Sequence, residues 1–296
     1  MTSRETFRRG LVAAVCAYIC WGLLPLYFKA LHAVPPLELV GWRVVFTLPV
    51  CIAIVMSRGQ FPELRAAFAN RQALGLMALS ALLIGSNWLI YVIAINSGHV
   101  LATSLGYYIN PLINVLLGTV FLGERLSRVQ WGAVMLAGVG IALLLAGAVD
   151  TLAVALSLAF TFAFYGFVRK QAPVGAVPGL TIETTVLLLP AIAIVTLAAG
   201  SPGGSSLALG GWTTPLIIAS GLATAVPLLL FAVAARSLPL STLGFVQFIA
   251  PTISFTLGLT VFGESLDTTR LASFAVIWAA IALYSWDMGK QASAAR

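Results

Sequence analysis

Ten apolar runs, each about as long as a bilayer is thick, dominate this sequence. A helix needs roughly 20 mostly apolar residues to cross the hydrocarbon core. Only 8% of the chain is charged against 60% hydrophobic, far too few charges to cover a water-facing surface. The sequence therefore predicts an all-α, polytopic membrane protein with ten transmembrane helices near residues 10–31, 37–57, 72–95, 99–122, 128–147, 150–169, 178–199, 212–235, 240–262 and 269–287.

The basic residues fall on alternate loops of this bundle. With a cytoplasmic N-terminus, all but three of the 16 Lys and Arg residues lie in cytoplasmic segments, and only Lys29 and Arg270 lie outside. The third exception, Arg43, lies within the second run. This asymmetry follows the positive-inside rule, so both termini are predicted to be cytoplasmic. The net charge of +7 then reflects topology, and no nucleic-acid partner is expected.

A repeated stretch relates the two halves of the chain. "PLINVLLGTVFLGERL" at 111–126 and "PTISFTLGLTVFGESL" at 251–266 share a Pro, an Ile, Leu–Gly and Gly–Glu pairs and a final Leu, 140 residues apart. Five spans in each half would place the second half upside down, with Glu124 and Glu264 on opposite sides of the membrane. The prediction is two inverted repeats, 1–148 and 149–296, around a central cavity, as in secondary transporters.

Polar and aromatic side chains recur at helical spacing on four of the predicted helices. Polar groups inside a bilayer face the bundle interior, where they either bind helix to helix or line a cavity. Both interpretations are open for any single residue. The set favours a cavity for an amphipathic solute with an apolar or aromatic body, because polar faces occur at matching places in both halves. The candidates are Tyr18, Trp21 and Pro25 on the first helix, Asn87, Trp88 and Tyr91 on the third, Tyr107, Asn110 and Pro111 on the fourth, and Gln247 and Pro251 on the ninth.

Two charged residues lie inside apolar runs and are candidates for function. Arg43 is expected to pair with a carboxylate or, as the alternative, to anchor a carboxylate of the substrate. Glu183 is a candidate gate or proton site, with a structural hydrogen-bonded role as the alternative. Because no carboxylate lies securely at the midplane, transport is expected to run down the gradient of the solute. With three cysteines and two histidines, no metal or cofactor is expected.

Several stretches resemble a known family of transporters. "AYICWGLLPLYFKAL", "FAFYGFVRK", "GLTIETTVLLLP" and the block from Asn87 to Trp131 are similar to the RarD branch of the drug/metabolite transporter superfamily, within the EamA family. The resemblance implies a bacterial inner-membrane exporter with a cavity built from helices 1, 3, 4, 6, 8 and 9. The family motif positions correspond here to Tyr18, Trp21, Pro25, Tyr27, Arg43, Asn87, Trp88, Tyr91, Tyr107, Asn110, Pro111, Tyr165 and Gly166.

The resemblance also implies the class of cargo: amino acids, related metabolites or drug-like solutes. Ala102 stands where relatives commonly carry an acidic residue, which argues against proton coupling at that position. Together these features predict a non-enzymatic exporter, monomeric or weakly dimeric, that moves amino acids with large or aromatic side chains by alternating access. Pro25, Pro111, Pro251 and Glu183 would serve as hinges or gates. A chloramphenicol-like drug exporter and a lipid-linked sugar flippase are the alternatives.

Overall fold

The computed structural model describes residues 3–97, 100–145, 152–262 and 268–294, and the regular structure in these ranges is helical throughout. A short 3-10 helix, Ser206–Leu209, is the one departure from α-helical geometry among these elements. The helices in chain order are α1 (Ser3–Ala30), α2 (Pro36–Ser57), α3 (Phe61–Ala69), α4 (Arg71–Asn96), α5 (Val100–Phe121), α6 (Arg128–Leu145), α7 (Leu152–Gln171), α8 (Ala176–Ala199), α9 (Thr213–Ser237), α10 (Leu240–Gln247), α11 (Ile249–Thr260) and α12 (Thr268–Ala294).

Each predicted apolar run corresponds to one helical span of the structure. The spans are α1, α2, α4 to α9, the pair α10–α11, and α12. In the described ranges, nine apolar stretches are long enough to cross a bilayer, and α5 contributes the shorter stretch Leu105–Phe121. An α-helix satisfies its own backbone hydrogen bonds, so long apolar runs of this kind can span lipid. The prediction of an all-α, polytopic membrane protein is confirmed.

Two details of the chain path differ from the prediction. The connection at 58–71 contains a helix of its own, α3. The ninth run was predicted as one helix, but it divides at Phe248 into α10 and α11. Pro251 has no N–H to donate to the carbonyl of Gln247, and the Phe248 N–H bonds instead to the Phe245 carbonyl at 3.3 Å. A missing donor therefore separates α10 from α11 within the membrane.

The packing of α1–α6, the first half, against α7–α12, the second half, is the same when the halves are exchanged. Three contacts between the halves each have a counterpart. The α5–α7 contact corresponds to the contact of α1 with α10–α11, the α1–α9 contact to α4–α7, and the α2–α9 contact to α4–α8. The pairs α2–α8, α5–α10 and α6–α12 map onto themselves. An inverted repeat has this property. The predicted repeat boundary at 148/149 and Glu264, the predicted counterpart of Glu124, lie outside the described residues.

Glycines allow several helices of the two halves to touch. A Cβ added to Gly221 on α9 would lie 2.2 Å from the Phe46 carbonyl oxygen on α2. A Cβ on Gly244 of α10 would lie 2.7 Å from the Pro111 carbonyl oxygen on α5. In lipid, where tails are as apolar as side chains, such close backbone approach supplies much of the packing between helices. The interior is therefore dense around the two crossings.

Candidate functional site

Arg43, on the second turn of α2, is the centre of the candidate site. Its Nε donates a hydrogen bond to Thr224 Oγ1 on α9 at 2.9 Å. Its guanidinium lies 5.0 Å from the ring centroid of Trp88 on α4 and 5.7 Å from that of Phe28 on α1. Arg43 is the eighth residue of α2. At a rise of 1.5 Å per residue, it lies about 10 Å from the N-terminal end of that helix.

Three tyrosines complete the surroundings of this guanidinium. The phenol groups of Tyr27, Tyr91 and Tyr107 lie close enough to interact electrostatically with Arg43. The rings of Tyr91 and Tyr107 are 6.4 Å apart, and the side chain of Tyr107 is 38% exposed. The site therefore combines one cation with aromatic faces and hydroxyl groups, which is suited to an amphipathic ligand.

The structure shows no carboxylate partner for Arg43 among the residues that it describes, so pairing with a carboxylate stays a prediction. The ion pair found in those ranges joins Arg169 to Glu183 and leaves Arg43 without a carboxylate within 4.0 Å. The neighbours of Arg43 are rings and hydroxyl groups, which donate or accept single hydrogen bonds but carry no negative charge. Within the described ranges, Arg43 is thus a cation without a carboxylate partner, and a charged residue inside a membrane is a candidate functional residue.

The candidate amides lie between helices in this conformation. Asn110 on α5 donates to the Ala159 carbonyl of α7 at 2.8 Å, and Asn114 donates both to Asn110 and to Gln247 of α10 at 3.0 Å. Asn87 donates to the Leu158 carbonyl of α7 at 2.9 Å. All four side chains are buried. The structure therefore places Asn87, Asn110 and Gln247 in contacts that hold α4, α5, α7 and α10 together, and their contact with substrate stays a prediction.

Tyr18, Trp21 and Tyr165 belong to an aromatic cluster of α1, α7 and α9. The Trp21 ring lies 5.5 Å from those of Tyr18 and Phe162 and 5.6 Å from Phe231. Tyr165 stacks on Phe231 at 5.5 Å. Tyr18 and Tyr165 are buried, and their hydroxyl groups have no hydrogen-bond partner among the described residues. Two unsatisfied phenols thus accompany the packed rings.

Glu183 on α8 forms a buried ion pair with Arg169 on α7. The carboxylate and guanidinium are 3.5 Å apart, with side chains 2% and 1% exposed. Ser80 on α4 donates a hydrogen bond to the same carboxylate, and Met77 Sδ lies 3.2 Å from Arg169 Nη1. Glu183 therefore joins three helices from both halves. Its charge is matched by Arg169, which favours the structural or gating interpretation over a free proton carrier.

A small cavity lies among residues of α2, α4, α8 and α9, next to this ion pair. Glu183 and Thr224, the hydrogen-bond partner of Arg43, both line it, together with Thr47, Thr184 and Trp88. The space open to the centre of a water molecule is about 10 Å³, which suits about one water. The surface that these residues expose to the cavity is apolar.

The prolines predicted as hinges differ in their local structure. Pro25 lies inside α1 and Pro111 inside α5, and both helices continue through them. Pro251 follows the division between α10 and α11. Of these three prolines, only Pro251 lies beside an interruption of its helix. Motion about Pro25, Pro111 and Pro251 stays a prediction.

Sequence reasoning missed Phe28, Thr224, Ser80 and the role of Arg169. Arg169 was counted as a topology signal, although it is buried beside Glu183. The chain segments "FVRK" and "TIETT" that contain these partners were singled out, but nothing in either segment indicates that they meet. Thr224 lies 181 positions from Arg43, and one threonine in an apolar helix carries no signal of its own.

The apolar spans, the corresponding packing of the two halves and an arginine without a carboxylate partner among the described residues are typical of a polytopic membrane transporter. Comparison with known proteins gives the family. The model of the EamA-like transporter family matches residues 8–146. Protein RarD of Escherichia coli is 42% identical over 288 residues, covering 97% of both chains. The chain belongs to the EamA-like transporters, among the RarD-like members of the drug/metabolite transporter superfamily.

Two further relatives and one solved structure agree with this assignment. An uncharacterized transporter of Pseudomonas aeruginosa is 46% identical over 286 residues, covering 95% of this chain and 94% of its own. A chloramphenicol-sensitive protein RarD of the same organism is 31% identical, covering 95% of each chain. A crystal structure with 19% identity superimposes with a TM-score of 0.74 over 94% of this chain and 97% of its own, which shows the shared fold.

Proposed function

We propose that this transporter exports amino acids with large or aromatic side chains across the bacterial inner membrane by alternating access, with both termini in the cytoplasm. The observation that carries the proposal is Arg43, a partly buried guanidinium without a carboxylate partner in the described chain, close to the aromatic rings of Trp88 and Phe28. A guanidinium binds a carboxylate through two parallel hydrogen bonds. The α-carboxylate of an amino acid would supply the missing negative charge.

The aromatic groups around Arg43 suit the rest of such a substrate. Trp88, Tyr91 and Tyr107 offer ring faces on which an apolar or aromatic side chain can pack. The same faces attract an ammonium group, so both charges of a zwitterion would find partners within one site. A small polar amino acid would leave this surface uncovered. Selectivity for large side chains follows from that difference.

The test is transport of radiolabelled phenylalanine into liposomes that contain the purified protein. Arg43→Gln removes one charge-assisted interaction, worth about 1.5–3 kcal/mol, so the apparent affinity is expected to fall about 10- to 100-fold. Arg43→Lys keeps the charge but loses the two-pronged geometry, and an intermediate loss is expected. Lys29→Gln is the matched control, because it removes an exposed cation at the end of α1, whose ammonium lies beside the Val261 carbonyl and the Phe262 ring. Equal affinities in Arg43→Gln and Lys29→Gln would contradict the proposal.

Export of a neutral, chloramphenicol-like drug is the second candidate, favoured by the aromatic lining and by the name of the 31% identical relative. Such a drug carries no carboxylate, so its transport would not depend on Arg43. Chloramphenicol efflux that survives Arg43→Gln, with no phenylalanine transport by the unmodified protein, would establish this alternative. Movement of a lipid-linked sugar without either small solute would favour a flippase.

A further inference from the structure

The short helix α3, between α2 and α4, has an unusual exposed face. Phe61, Arg65 and Phe68 occur at i, i+4 and i+7, which places them on one side of a helix. The two rings are 63% and 43% exposed, and Arg65 is exposed between them. On the adjoining flank of the helix, Leu64 and Ala67 are buried in a core cluster. The aromatic face is therefore directed away from the protein.

The position of α3 in the fold puts this face at the membrane surface. α2 crosses the bilayer and ends at Ser57, and α4 begins its return at Arg71. The nine residues of α3 must therefore lie at the end of the bundle that carries the N-terminus. In water, two exposed phenylalanine rings would be costly, whereas at an interface they can enter the boundary between headgroups and acyl chains.

Basic residues flank α3 in the sequence, and one lies on its exposed face. Arg58 precedes α3, Arg65 lies at its middle and Arg71 begins α4, and all three are exposed. Glu63 is the one acidic residue of α3, and it accepts a hydrogen bond from Gln60 at 3.3 Å. Three cations against one carboxylate leave a net charge of +2 beside two membrane-directed rings. A phosphate group is the complementary partner.

We infer that α3 is a binding site for anionic phospholipid of the surrounding bilayer. Arg65, with Arg58 and Arg71 on either side, contacts the lipid phosphate, and Phe61 and Phe68 insert at the level of the upper acyl chains. The ligand is a lipid headgroup held within a membrane, because the rings require an apolar layer next to the phosphate. Free inorganic phosphate offers no such layer.

The buried side of α3 gives this site a consequence for the transporter. Leu64 and Ala67 share a core cluster with Met77 of α4, with Val174 just before α8 and with Val177 in its first turn, in the second half. Met77 in turn contacts Arg169, the partner of Glu183. A lipid that holds α3 in place thus stabilises a contact between the two halves beside the buried ion pair.

Native mass spectrometry of the full-length protein, titrated with phosphatidylglycerol or phosphatidylcholine in detergent, tests the inference. Phosphatidylglycerol is expected to bind more tightly, and Arg65→Gln to weaken it about fivefold, the effect of one cation near an anionic surface. Arg65→Lys should retain most of the binding. Arg9→Gln is the matched control, since it removes an exposed cation at the same end of the bundle.

Three outcomes would overturn the inference. Equal binding of the two lipids would remove the role of the anionic charge. Equal weakening by Arg65→Gln and Arg9→Gln would show diffuse attraction to a basic surface. Competition by millimolar inorganic phosphate that displaces the lipid fully would assign the cations to a soluble anion. The variants lie on exposed positions, so size-exclusion profiles are expected to match the unmodified protein.

Discussion

Glu124 joins the two halves of the chain at the end of the bundle where α5 finishes. Gly123, with φ of +66°, turns the chain, and the Glu124 carboxylate folds back onto the first turn of α10. There it accepts hydrogen bonds from Leu240 N at 2.6 Å, Ser241 N at 3.0 Å and Ser241 Oγ at 2.7 Å. A carboxylate at a helix N-terminus also interacts favourably with the helix dipole. The Glu124 carboxylate is therefore expected to be essential for holding the start of α10 in place.

The magnitude for Glu124→Gln follows from these contacts. Glutamine has nearly the same shape, so no cavity is created, and its amide oxygen can replace one accepting oxygen. Its NH2 group would face backbone N–H donors, and an unsatisfied buried donor costs about 1–3 kcal/mol. Loss of the charge at the helix terminus adds about 0.3–1 kcal/mol. The expected loss in the free energy of unfolding is about 1–4 kcal/mol.

Denaturant titration of the purified protein in one detergent measures this loss. Glu63→Gln is the control, because its carboxylate is exposed and accepts one side-chain hydrogen bond at 3.3 Å; its effect is expected to stay within about 0.5 kcal/mol. A double-mutant cycle with Ser241→Ala should show a coupling energy of about 0.5–3 kcal/mol. The reasoning fails if Glu124→Gln is no more destabilising than Glu63→Gln. It also fails if the effects of Glu124→Gln and Ser241→Ala on the free energy of unfolding are additive.

Other contacts give three further expectations. Gln247→Ala should cost about 1–3 kcal/mol of unfolding free energy, because Asn114 loses a buried partner; a large loss of substrate affinity at unchanged stability would contradict this. Gly221→Ala should prevent α9 from packing on α2, since the new Cβ would lie 2.2 Å from an α2 carbonyl oxygen. Gly75→Ala is the control and should be neutral, because its Cβ would meet nothing within 4 Å. Expression level and monodispersity of the purified protein measure both effects. Because Glu183 is paired with a buried arginine, an imposed pH gradient should drive no uphill uptake into liposomes; accumulation that Glu183→Gln abolishes would refute this.

The sequence by itself determined the class of the protein and the position of its spans. In lipid, every helix must satisfy its backbone internally and present apolar side chains, so each span is recorded in a continuous local run. The repeated stretches at 111–126 and 251–266 likewise indicated two related halves. The structure differs from the predicted spans in two places. Pro251 interrupts the ninth span, and α3 forms in a connection too short to be recognised as a membrane element.

Only the tertiary structure decided what the polar residues do. Asn110 and Gln247 carried the same local signal as Tyr107, yet Asn110 bonds to a carbonyl of α7, Gln247 is bonded by an α5 amide, and Tyr107 remains partly exposed near Arg43. Glu183, a candidate gate or proton site from the sequence, is paired with Arg169, and neither local sequence indicated this partner. A polar group in a membrane has a few acceptable partners, and these come from helices far apart in sequence. Which of them meet depends on how closely the helices pack, and that is set by glycines and prolines whose neighbours no local pattern specifies.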